Sequence, residues 1–275
     1  MRTLKSYAWL VYLFLYTPIV IIVVFSFSAG HSASDFHGFS LQWYAKAIDN
    51  RFVRDALVNS LTVAASSSAM ATLFGTAAAL ALPRVRGPFR IIFDGLTYIA
   101  IMVPGIVIGI STLIALVTVF EAVNPLLATL WPGDPAATPQ LGMGRSSVIM
   151  AHALFAMALV IVIVRARLLG MDRSLIEASA DLYATPWRTF RQVTLPQILP
   201  AILAGFLLSF TFSLDDYVIA SFVAGPVVTL PIYVFASIRR GVTPEINAIG
   251  TAVLATSVTL LFGAQLLLRR SHGKR

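Results

Sequence analysis

A polar stretch interrupts an otherwise apolar chain and reads SLIEASADLYATPWRTFRQVTLP, residues 174–196. It lies between two long apolar runs, 147–164 and 199–222, and arginines flank it on both sides. Glu177 and Asp181 are four positions apart, so they would share one face of a helix, beside a narrow apolar stripe. Such a segment is a poor membrane element. It predicts a helical loop that offers a docking site to a partner.

The composition of the chain is that of a membrane protein. The 275 residues are 58% hydrophobic and 12% charged, with a mean hydropathy of +0.84. A soluble domain of this size would carry far more charge, so we expect a chain that crosses the membrane several times and contacts lipid. Cysteine is absent, which excludes disulfides and cysteine-ligated metals. The net charge of +8 comes from basic residues in short loops, where membrane topology explains it, so we expect no nucleic-acid partner.

Six apolar runs are long enough to cross a bilayer, for which a helix needs about 20 residues. The third run is overlong, and the dipeptide Pro104-Gly105 near its middle predicts a kink or break. Gly105 and Gly109 also fit a close helix-packing pattern, with a flexible point in the pathway wall beside Pro104 as the alternative. The loops are too short for another domain. We therefore predict one all-helical transmembrane domain over residues 1–275, with spans at 8–27, 57–82, 91–120, 147–164, 199–222 and 246–268.

Lysine and arginine indicate the orientation of the spans, because cytoplasmic loops are enriched in them. Fourteen of the 20 lie on the side that holds both termini and the loop 165–197, below called the polar loop. We therefore expect both termini and the polar loop to be cytoplasmic. The first span could instead be a cleaved signal peptide, but its apolar run of 20 residues is longer than the usual h-region of about 7–15. The fourteen are Arg2, Lys5, Arg84, Arg86, Arg90, Arg165, Arg167, Arg173, Arg188, Arg191, Arg269, Arg270, Lys274 and Arg275.

The polar loop carries helix signals of its own. Ser174 and Glu177 fit a capping box, in which the hydroxyl and the carboxylate serve free N–H groups at a helix start. Thr185 fits a second N-cap, with Pro186 at the first helical position, where a missing N–H does no harm. We therefore predict two short helices joined by a turn at Tyr183-Ala184.

The pattern that begins at Glu177 and ends at Pro196 is Glu-Ala-x5-Ala-x5-Phe-x2-Val-x-Leu-Pro. It resembles the EAA loop of ABC-type import permeases, which implies an all-α membrane protein of the type I ABC importer permease architecture, with six transmembrane helices and cytoplasmic coupling helices. In that family the loop seats in a cleft of the ATP-hydrolysing subunit and transmits its closure. The alternative is that Glu177 only caps a helix and the loop lies on the membrane surface. By resemblance, the coupling contact would be made by Glu177, Ala178, Ser179, Ala180, Asp181, Leu182, Tyr183 and Ala184.

Tyr183 departs from the family pattern, which usually has glycine at the turn between the two short helices. A tyrosine with a positive φ at this point would cost about 1–2 kcal/mol, because its Cβ crowds the backbone. We therefore expect either a different turn geometry or a strained Tyr183.

Three further stretches, 213–226, 229–233 and 241–248, resemble the spermidine/putrescine subgroup of these permeases. This resemblance covers most of the chain and implies a polyamine, putrescine or spermidine, as the solute. One departure points the other way. Polyamine permeases commonly carry an acidic residue after the proline of the third span, and Gly105 stands there in this chain. Glu121 or a partner subunit would have to supply that carboxylate, and another small organic solute is the alternative.

Asp215, Asp216 and Tyr217 lie in the fifth predicted span. If that span leaves the cytoplasmic side, the aspartates lie about 16 residues, or roughly 24 Å, along it, where a carboxylate must face a cavity or a cation. We predict that these three residues line the substrate pathway, where a carboxylate attracts a polycation and Tyr217 contacts it through cation–π interaction. Adjacent residues point about 100° apart on a helix, so we expect one aspartate to face the pathway. The alternative is that the helix ends early and both are interfacial groups.

The chain lacks a Gly-x4-Gly-Lys-Ser/Thr phosphate loop, and no nucleophile–base or metal constellation is evident. We predict a transporter subunit, not an enzyme, without catalytic residues, metal or cofactor of its own. The family resemblance implies a bacterial inner-membrane location and alternating access. It also implies four partners: two ABC ATPase subunits that bind ATP and Mg²⁺, a second homologous permease subunit, and a periplasmic or extracellular solute-binding protein.

Two other functions fit parts of the sequence. An ion-coupled secondary transporter would use the carboxylates Asp215, Asp216 or Glu121. That function does not explain the polar loop, and no internal inverted repeat is evident. A membrane-embedded enzyme is the weaker alternative. The four histidines show no metal-like spacing, and we expect His152, in the fourth span, to be a packed polar residue.

Overall fold

The computed structural model of the chain describes residues 2–30, 36–133, 138–241 and 243–272. Nearly all of these residues are helical, and the extended pairing among them is one isolated bridge between Ser28 and Phe39. The predicted all-helical fold is therefore confirmed. A 3-10 turn (Leu82–Arg84) and a π-helical turn (Phe190–Thr194) supplement the α-helices. These are α1 (Arg2–Phe25), α2 (Gln42–Asp49), α3 (Arg51–Ala81), α4 (Pro88–Met102), α5 (Gly105–Leu130), α6 (Arg145–Leu169), α7 (Ser174–Asp181), α8 (Pro186–Thr189), α9 (Leu195–Asp215), α10 (Val218–Val223), α11 (Leu230–Arg240) and α12 (Pro244–His272).

Five helical stretches within the described residues are long and apolar enough to cross a membrane. The sixth predicted span, 246–268, falls in α12, where most side chains beyond residue 259 lie outside the description. The count of six crossings and the single domain over 1–275 therefore stay predictions. The five stretches are Lys5–Phe25, Arg51–Arg84, Gly105–Leu130, Arg145–Leu169 and Pro186–Asp215.

The third predicted span, 91–120, consists of two helices rather than one. Helix α4 ends at Met102, and Val103 and Pro104 are extended, with ψ of 132° and 137°. Proline restricts the residue before it and lacks the N–H that would continue the helix, so the break occurs where the sequence predicted it. The apolar stretch long enough to cross the membrane is α5, which continues ten residues beyond the predicted end, to Leu130.

The chain divides into two compact units, which we describe separately. The smaller unit is formed by Met1–Val58 and Ile232–Leu267, and the larger by Asn59–Pro231 and Leu268–Arg275. In the smaller unit, Asn50 lies at the corner between α2 and α3. Its Nδ2 donates hydrogen bonds to Tyr233 Oη at 3.2 Å and to Glu245 Oε1 at 2.9 Å, which tie α11 and α12 to that corner.

The larger unit is packed around α6, and small residues allow the helices to approach it closely. Val160 of α6 is fully buried. A Cβ built on Gly75 of α3 would lie 2.9 Å from Val160 Cβ, and one built on Gly205 of α9 would lie 3.4 Å from its Cγ atoms. Close approach through small residues is the usual means of helix association in membranes. Helices α3 and α9 therefore both pack closely against α6.

Gly109 also serves close packing, as the glycine pattern in α5 predicted. A Cβ at this position would lie 2.6 Å from a ring carbon of Phe222 and 3.3 Å from the Cα of Ile219, both in α10. Gly105 is less crowded, because its nearest neighbour, Val218, would be 3.8 Å away. The wall formed by α5 and α10 therefore depends on Gly109.

Candidate functional site

The polar loop begins with a cap that differs from the predicted one. Ser174 is the first residue of α7 and not its N-cap, so the capping box of Ser174 with Glu177 is wrong. Asp172 instead accepts a hydrogen bond at the start of the helix, from the backbone N–H of Ser174 to its Oδ1 at 2.9 Å. The hydrogen bonds from Ser174 lower the pKa of the Asp172 carboxyl. An aspartate side chain readily accepts a hydrogen bond from the backbone N–H two residues ahead of it. Here Asp172 does so, and Ser174 lies inside the helix instead of capping it.

The turn after α7 places Tyr183 in the left-handed region. Its φ is 56°, and it is the one non-glycine residue with a positive φ in the described part of the chain. The Ala184 N–H donates to Ser179 O at 3.1 Å, and the Tyr183 N–H donates to Ala180 O at 2.9 Å. These two bonds form a Schellman motif, which requires a left-handed residue at position 183. Of the two expectations for Tyr183, the strained backbone is the one observed.

The second short helix begins as predicted. The Thr185 hydroxyl accepts from the Arg188 backbone N–H at 3.4 Å, and Pro186 occupies the first turn of α8. Ser179 of α7 and Thr189, at the end of α8, join their hydroxyls at 2.6 Å. Because this bond and the Schellman turn both link the two helices, the polar loop is a fixed helical hairpin rather than a flexible connection.

The hairpin exposes most of the residues predicted to make the coupling contact. Ser179 is the exception, since it is buried against α8, and Ala184 is partly buried. The side chains of Leu182 and Tyr183 are 82% and 95% exposed. Exposed apolar side chains at the tip of a folded hairpin form a surface that fits a protein partner. The remaining residues of the predicted contact are also exposed: Glu177, Ala178, Ala180 and Asp181.

Two grooves run along this surface. One, of about 390 Å³, is lined by Leu175, Leu182, Tyr183 and Arg188 among others. The other, of about 650 Å³, lies between the hairpin and the end of α3 and includes Trp187. The sequence analysis did not assign these flanking side chains to the surface. The exposed Trp187 was the available signal, because a tryptophan in a polar segment is typical of a binding surface.

An ion pair joins α4 to α6 at the first residue of the polar loop. The guanidinium of Arg165 binds both carboxylate oxygens of Asp94, with Nη2 3.2 Å from Oδ2. Two residues on, Arg167 Nε donates to Gln197 O of α9 at 2.9 Å. The end of α6 that leads into the hairpin is therefore linked to both α4 and α9. Asp94 was not among the predicted site residues, although a carboxylate within an apolar run indicates that a partner lies nearby.

The fifth predicted span, 199–222, breaks near its end, at Asp216 and Tyr217. Helix α9 ends at Asp215, Asp216 is extended with φ of −72° and ψ of 118°, and α10 starts at Val218. The sequence left open the alternative that this helix ends before residue 222, and α9 does end early, at Asp215. The same alternative made Asp216 an interfacial group, which does not fit its surroundings. Its side chain is only 14% exposed, and its Oδ2 accepts from the Ala220 N–H at 3.0 Å. Asp216 thus caps α10.

A buried polar network surrounds Asp216. His152 of α6 is 3% exposed, and its Nδ1 lies 2.7 Å from Ser213 Oγ, which in turn accepts from Ser67 Oγ at 3.0 Å. The other ring nitrogen, Nε2, lies 3.2 Å from Asp216 Oδ2. That contact is outside hydrogen-bond geometry, so we regard it as electrostatic. The sequence analysis correctly expected His152 to be a packed polar residue but did not foresee its partners.

The two neighbouring aspartates face different surroundings. Asp216 points into the bundle, towards His152, whereas Asp215 is exposed at the last position of α9. Tyr217, the next residue, is partly buried. The carbonyl end of a helix carries a partial negative charge, and Asp215 adds a carboxylate at that end. The break therefore places two carboxylates beside the carbonyl end of a helix, an arrangement suited to attract a cation.

The family model described as "Binding-protein-dependent transport system inner membrane component" matches residues 71–272, well over half of the chain. The chain belongs to this family. It is 38% identical over 266 residues to the putrescine transport system permease protein PotI of Escherichia coli strain K12, covering 95% of this chain and 89% of PotI. It is 34% identical over 269 residues to the spermidine/putrescine transport system permease protein PotC of Haemophilus influenzae, covering 98% and 97% of the two chains.

Solved structures support the same fold. A subunit of a bacterial ABC transporter that imports the acidic polysaccharide alginate has a TM-score of 0.73 at 16% identity, and the match covers 98% of this chain and 96% of that one. A chain of the MetNI methionine transporter has a TM-score of 0.61 at 17% identity, with 80% and 95% covered. At this identity the likeness shows the fold alone, which is that of type I ABC importer permeases.

Family and fold together establish the general function. The protein is a multi-pass inner-membrane permease subunit of an ABC importer. It is not an enzyme, because ATP hydrolysis in these importers belongs to a separate subunit, and a solute-binding protein is the other general partner. The ion-coupled secondary transporter and the membrane-embedded enzyme are therefore set aside.

Proposed function

We propose that this permease moves a polyamine, putrescine or spermidine, across the bacterial inner membrane by alternating access. The observation that carries the proposal is the exposed Asp215 carboxylate at the carbonyl end of α9. The similarity to PotI and PotC supports the same solute class, since both are named as polyamine permeases and match over nearly the whole chain.

The charge at the break favours a cationic solute. Asp216 is engaged with His152 and with the start of α10, which leaves Asp215 as the carboxylate at the break that has no ion pair among the described residues. A carboxylate exposed to lipid would be strongly unfavourable, so we assign Asp215 to the water-filled pathway. There the half-charge of the helix end adds to its attraction for an ammonium group.

The same assignment accounts for the missing acidic residue in the third span. Gly105 stands where polyamine permeases commonly have a carboxylate, and a Cβ built on it would lie 3.8 Å from Val218 at the start of α10. A carboxylate at position 105 would therefore be next to the break in the fifth span. In this chain, Asp215 supplies negative charge to that same region.

The polar loop is, in this proposal, the cytoplasmic contact with the ATPase. Its exposed edge from Glu177 to Ala184 would seat in a cleft of an ATPase subunit that holds ATP and Mg²⁺. Closure of two such subunits would push on the hairpin, and the links from Arg165 to α4 and from Arg167 to α9 would carry the movement to the helices of the pathway.

The other partners follow from this mechanism. A second homologous permease subunit would complete the pathway, and a periplasmic or extracellular solute-binding protein would deliver the polyamine from the outer side. One structural neighbour, an alginate transporter, was solved in complex with a periplasmic protein bound to an alginate pentasaccharide. Both termini would be cytoplasmic.

Uptake of radiolabelled putrescine into proteoliposomes tests the proposal directly. The assembled transporter, its binding protein and internal ATP should drive uptake, and unlabelled spermidine should compete. Asp215→Asn should raise the KM for putrescine by about tenfold or more, the factor that corresponds to about 1.4 kcal/mol. Asp55→Asn is the matched control, because Asp55 lies in an exposed pair with Arg51 at the start of α3. Wild-type protein that imports a neutral solute but no polyamine would overturn the assignment.

A further inference from the structure

His152 occupies an unusual position for a titratable side chain. It lies within α6, the most buried of the apolar stretches, and is itself almost completely buried. A polar ring at such a place is costly unless polar groups surround it. Its two partners, Ser213 and Asp216, are three residues apart and lie on the two sides of the last residue of α9.

Side chains from three helices meet in this network. Ser213 Oγ accepts from Ser67 Oγ at 3.0 Å and is hydrogen-bonded to Nδ1 of His152 at 2.7 Å. The other ring nitrogen, Nε2, faces the Asp216 carboxylate at 3.2 Å, in an electrostatic contact rather than a hydrogen bond. One imidazole therefore contacts both Ser213, within α9, and Asp216, just beyond its end.

The carboxylate at the end of this network also holds the next helix. Asp216 Oδ2 accepts from the backbone N–H of Ala220, in the first turn of α10. The rings of Phe155 and Phe212 pack beside His152 at 5.2 Å from each other, and the pocket that remains has space for about one water molecule. The imidazole thus has little room to turn, and one ring fixes both the end of α9 and the start of α10.

We infer that His152 is a positioning residue for the break in the fifth span. By contacting both Ser213 and Asp216, it keeps Asp216 extended and ends α9 at Asp215. No proline stands between Asp215 and Val218, so without His152 the chain is free to continue as one helix. The side chains of the next turn, at positions 218 and 219, would then lie over position 215 and hinder access to it. The role of Asp215 in transport rests on the proposed function, but the control of its accessibility by His152 does not.

The absence of cysteine allows a test that needs no solute. Asp215→Cys is introduced into the assembled transporter, and its rate of labelling by a cationic, membrane-impermeant methanethiosulfonate is measured with His152, His152→Leu and His152→Gln. His152→Leu should slow labelling by about threefold to tenfold, the factor expected from the loss of about one net hydrogen bond. His152→Gln should restore the rate, because its amide can hydrogen-bond to Ser213 and present a polar group to Asp216. A control cysteine at the exposed Asp55 should react equally in all three.

Two further measurements separate positioning from simple loss of structure. Asp216→Asn should slow labelling as His152→Leu does, and the double variant should be no slower than either, because the two residues act through one contact. In chains that retain Asp215, His152→Leu should raise the KM for putrescine more than it lowers kcat. An unchanged or faster labelling rate in folded His152→Leu protein would overturn the inference. Failure of wild-type protein to import putrescine would overturn the proposed solute but leave the labelling result valid.

Discussion

Replacing Tyr183 by glycine should stabilise the folded chain, although the substitution removes an entire aromatic side chain. Tyr183 is the left-handed residue of the turn after α7, with φ of 56°, where a residue with a Cβ costs about 1–2 kcal/mol. The ring is 95% exposed, so its removal loses almost no packing. The greater freedom of glycine in the unfolded chain reduces the gain in the free energy of unfolding by about 0.5–1 kcal/mol. The net gain in the free energy of unfolding should be about 0.5–1 kcal/mol.

Thermal unfolding of the purified protein in detergent measures this gain. A change of about 1 kcal/mol shifts the Tm of a chain of 150–250 residues by about 2–4 °C, so Tyr183→Gly should raise Tm by about 1–4 °C. Tyr183→Ala is the matched control. It removes the ring but keeps the Cβ, so its Tm should equal that of the wild type. Tyr183→Asn should be intermediate, because asparagine tolerates the left-handed region better than tyrosine does.

The comparison between Tyr183→Gly and Tyr183→Ala shows whether the backbone or the ring of Tyr183 causes the cost in stability. If Tyr183→Ala raises Tm as much as Tyr183→Gly, the ring and not the backbone is the source of the cost. If Tyr183→Gly lowers Tm, the turn is not strained, and the assignment of the Schellman motif at this position is refuted.

Three further predictions concern the helices around the site. Gly109→Ala should lower the stability by about 1–3 kcal/mol, because the added methyl would lie 2.6 Å from a ring carbon of α10, whereas Gly105→Ala should leave Tm unchanged. Asp94→Asn should cost about 2–3 kcal/mol by depriving the partly buried Arg165 of its counter-ion, and the double variant with Arg165→Gln should recover most of the loss in Tm. Asp172→Ala should speed hydrogen exchange in the first turn of α7 at neutral pH. Because the folded-state pKa of Asp172 is lowered, its stabilisation is complete above the usual aspartate pKa of about 4 and is lost as the pH falls through the lowered value, so the difference from wild type should vanish in strong acid.

The helices and the first break could be predicted because their causes are local. A chain in lipid must satisfy its backbone hydrogen bonds within each segment, so a long apolar run is a helix. Pro104 interrupts such a run by its own geometry, whatever surrounds it. The hairpin of the polar loop was equally accessible, since Thr185 and Pro186 act within a single turn.

The cap of α7 shows the limit of local reasoning. Asp172 and Ser174 are both good capping residues, and they compete for nearly the same backbone N–H groups. The sequence motif favours Ser174, whereas the structure uses Asp172. A shift of this kind changes no helix but changes which side chain carries the charge at its start.

The second break could not be predicted, because its cause lies in other helices. Nothing in the residues around Asp216 stops a helix as proline does, and the extended backbone there coincides with contacts to His152, from a helix about 60 positions earlier in the chain. The pair of Asp94 and Arg165 has the same origin. A polar residue within an apolar run indicates that it has a polar partner in another helix. Which side chain that partner is depends on how the helices pack.

In the proposed mechanism, the polar loop is the contact through which ATP drives the permease. Its most direct test is ATP-dependent putrescine uptake by proteoliposomes that contain the wild-type transporter or Glu177→Lys, which reverses a charge on the exposed edge of α7. We predict that the variant folds normally, loses its ATPase subunits during purification and imports no putrescine. Full ATP-dependent uptake by Glu177→Lys, or uptake by this chain alone driven by an ion gradient, would contradict the account.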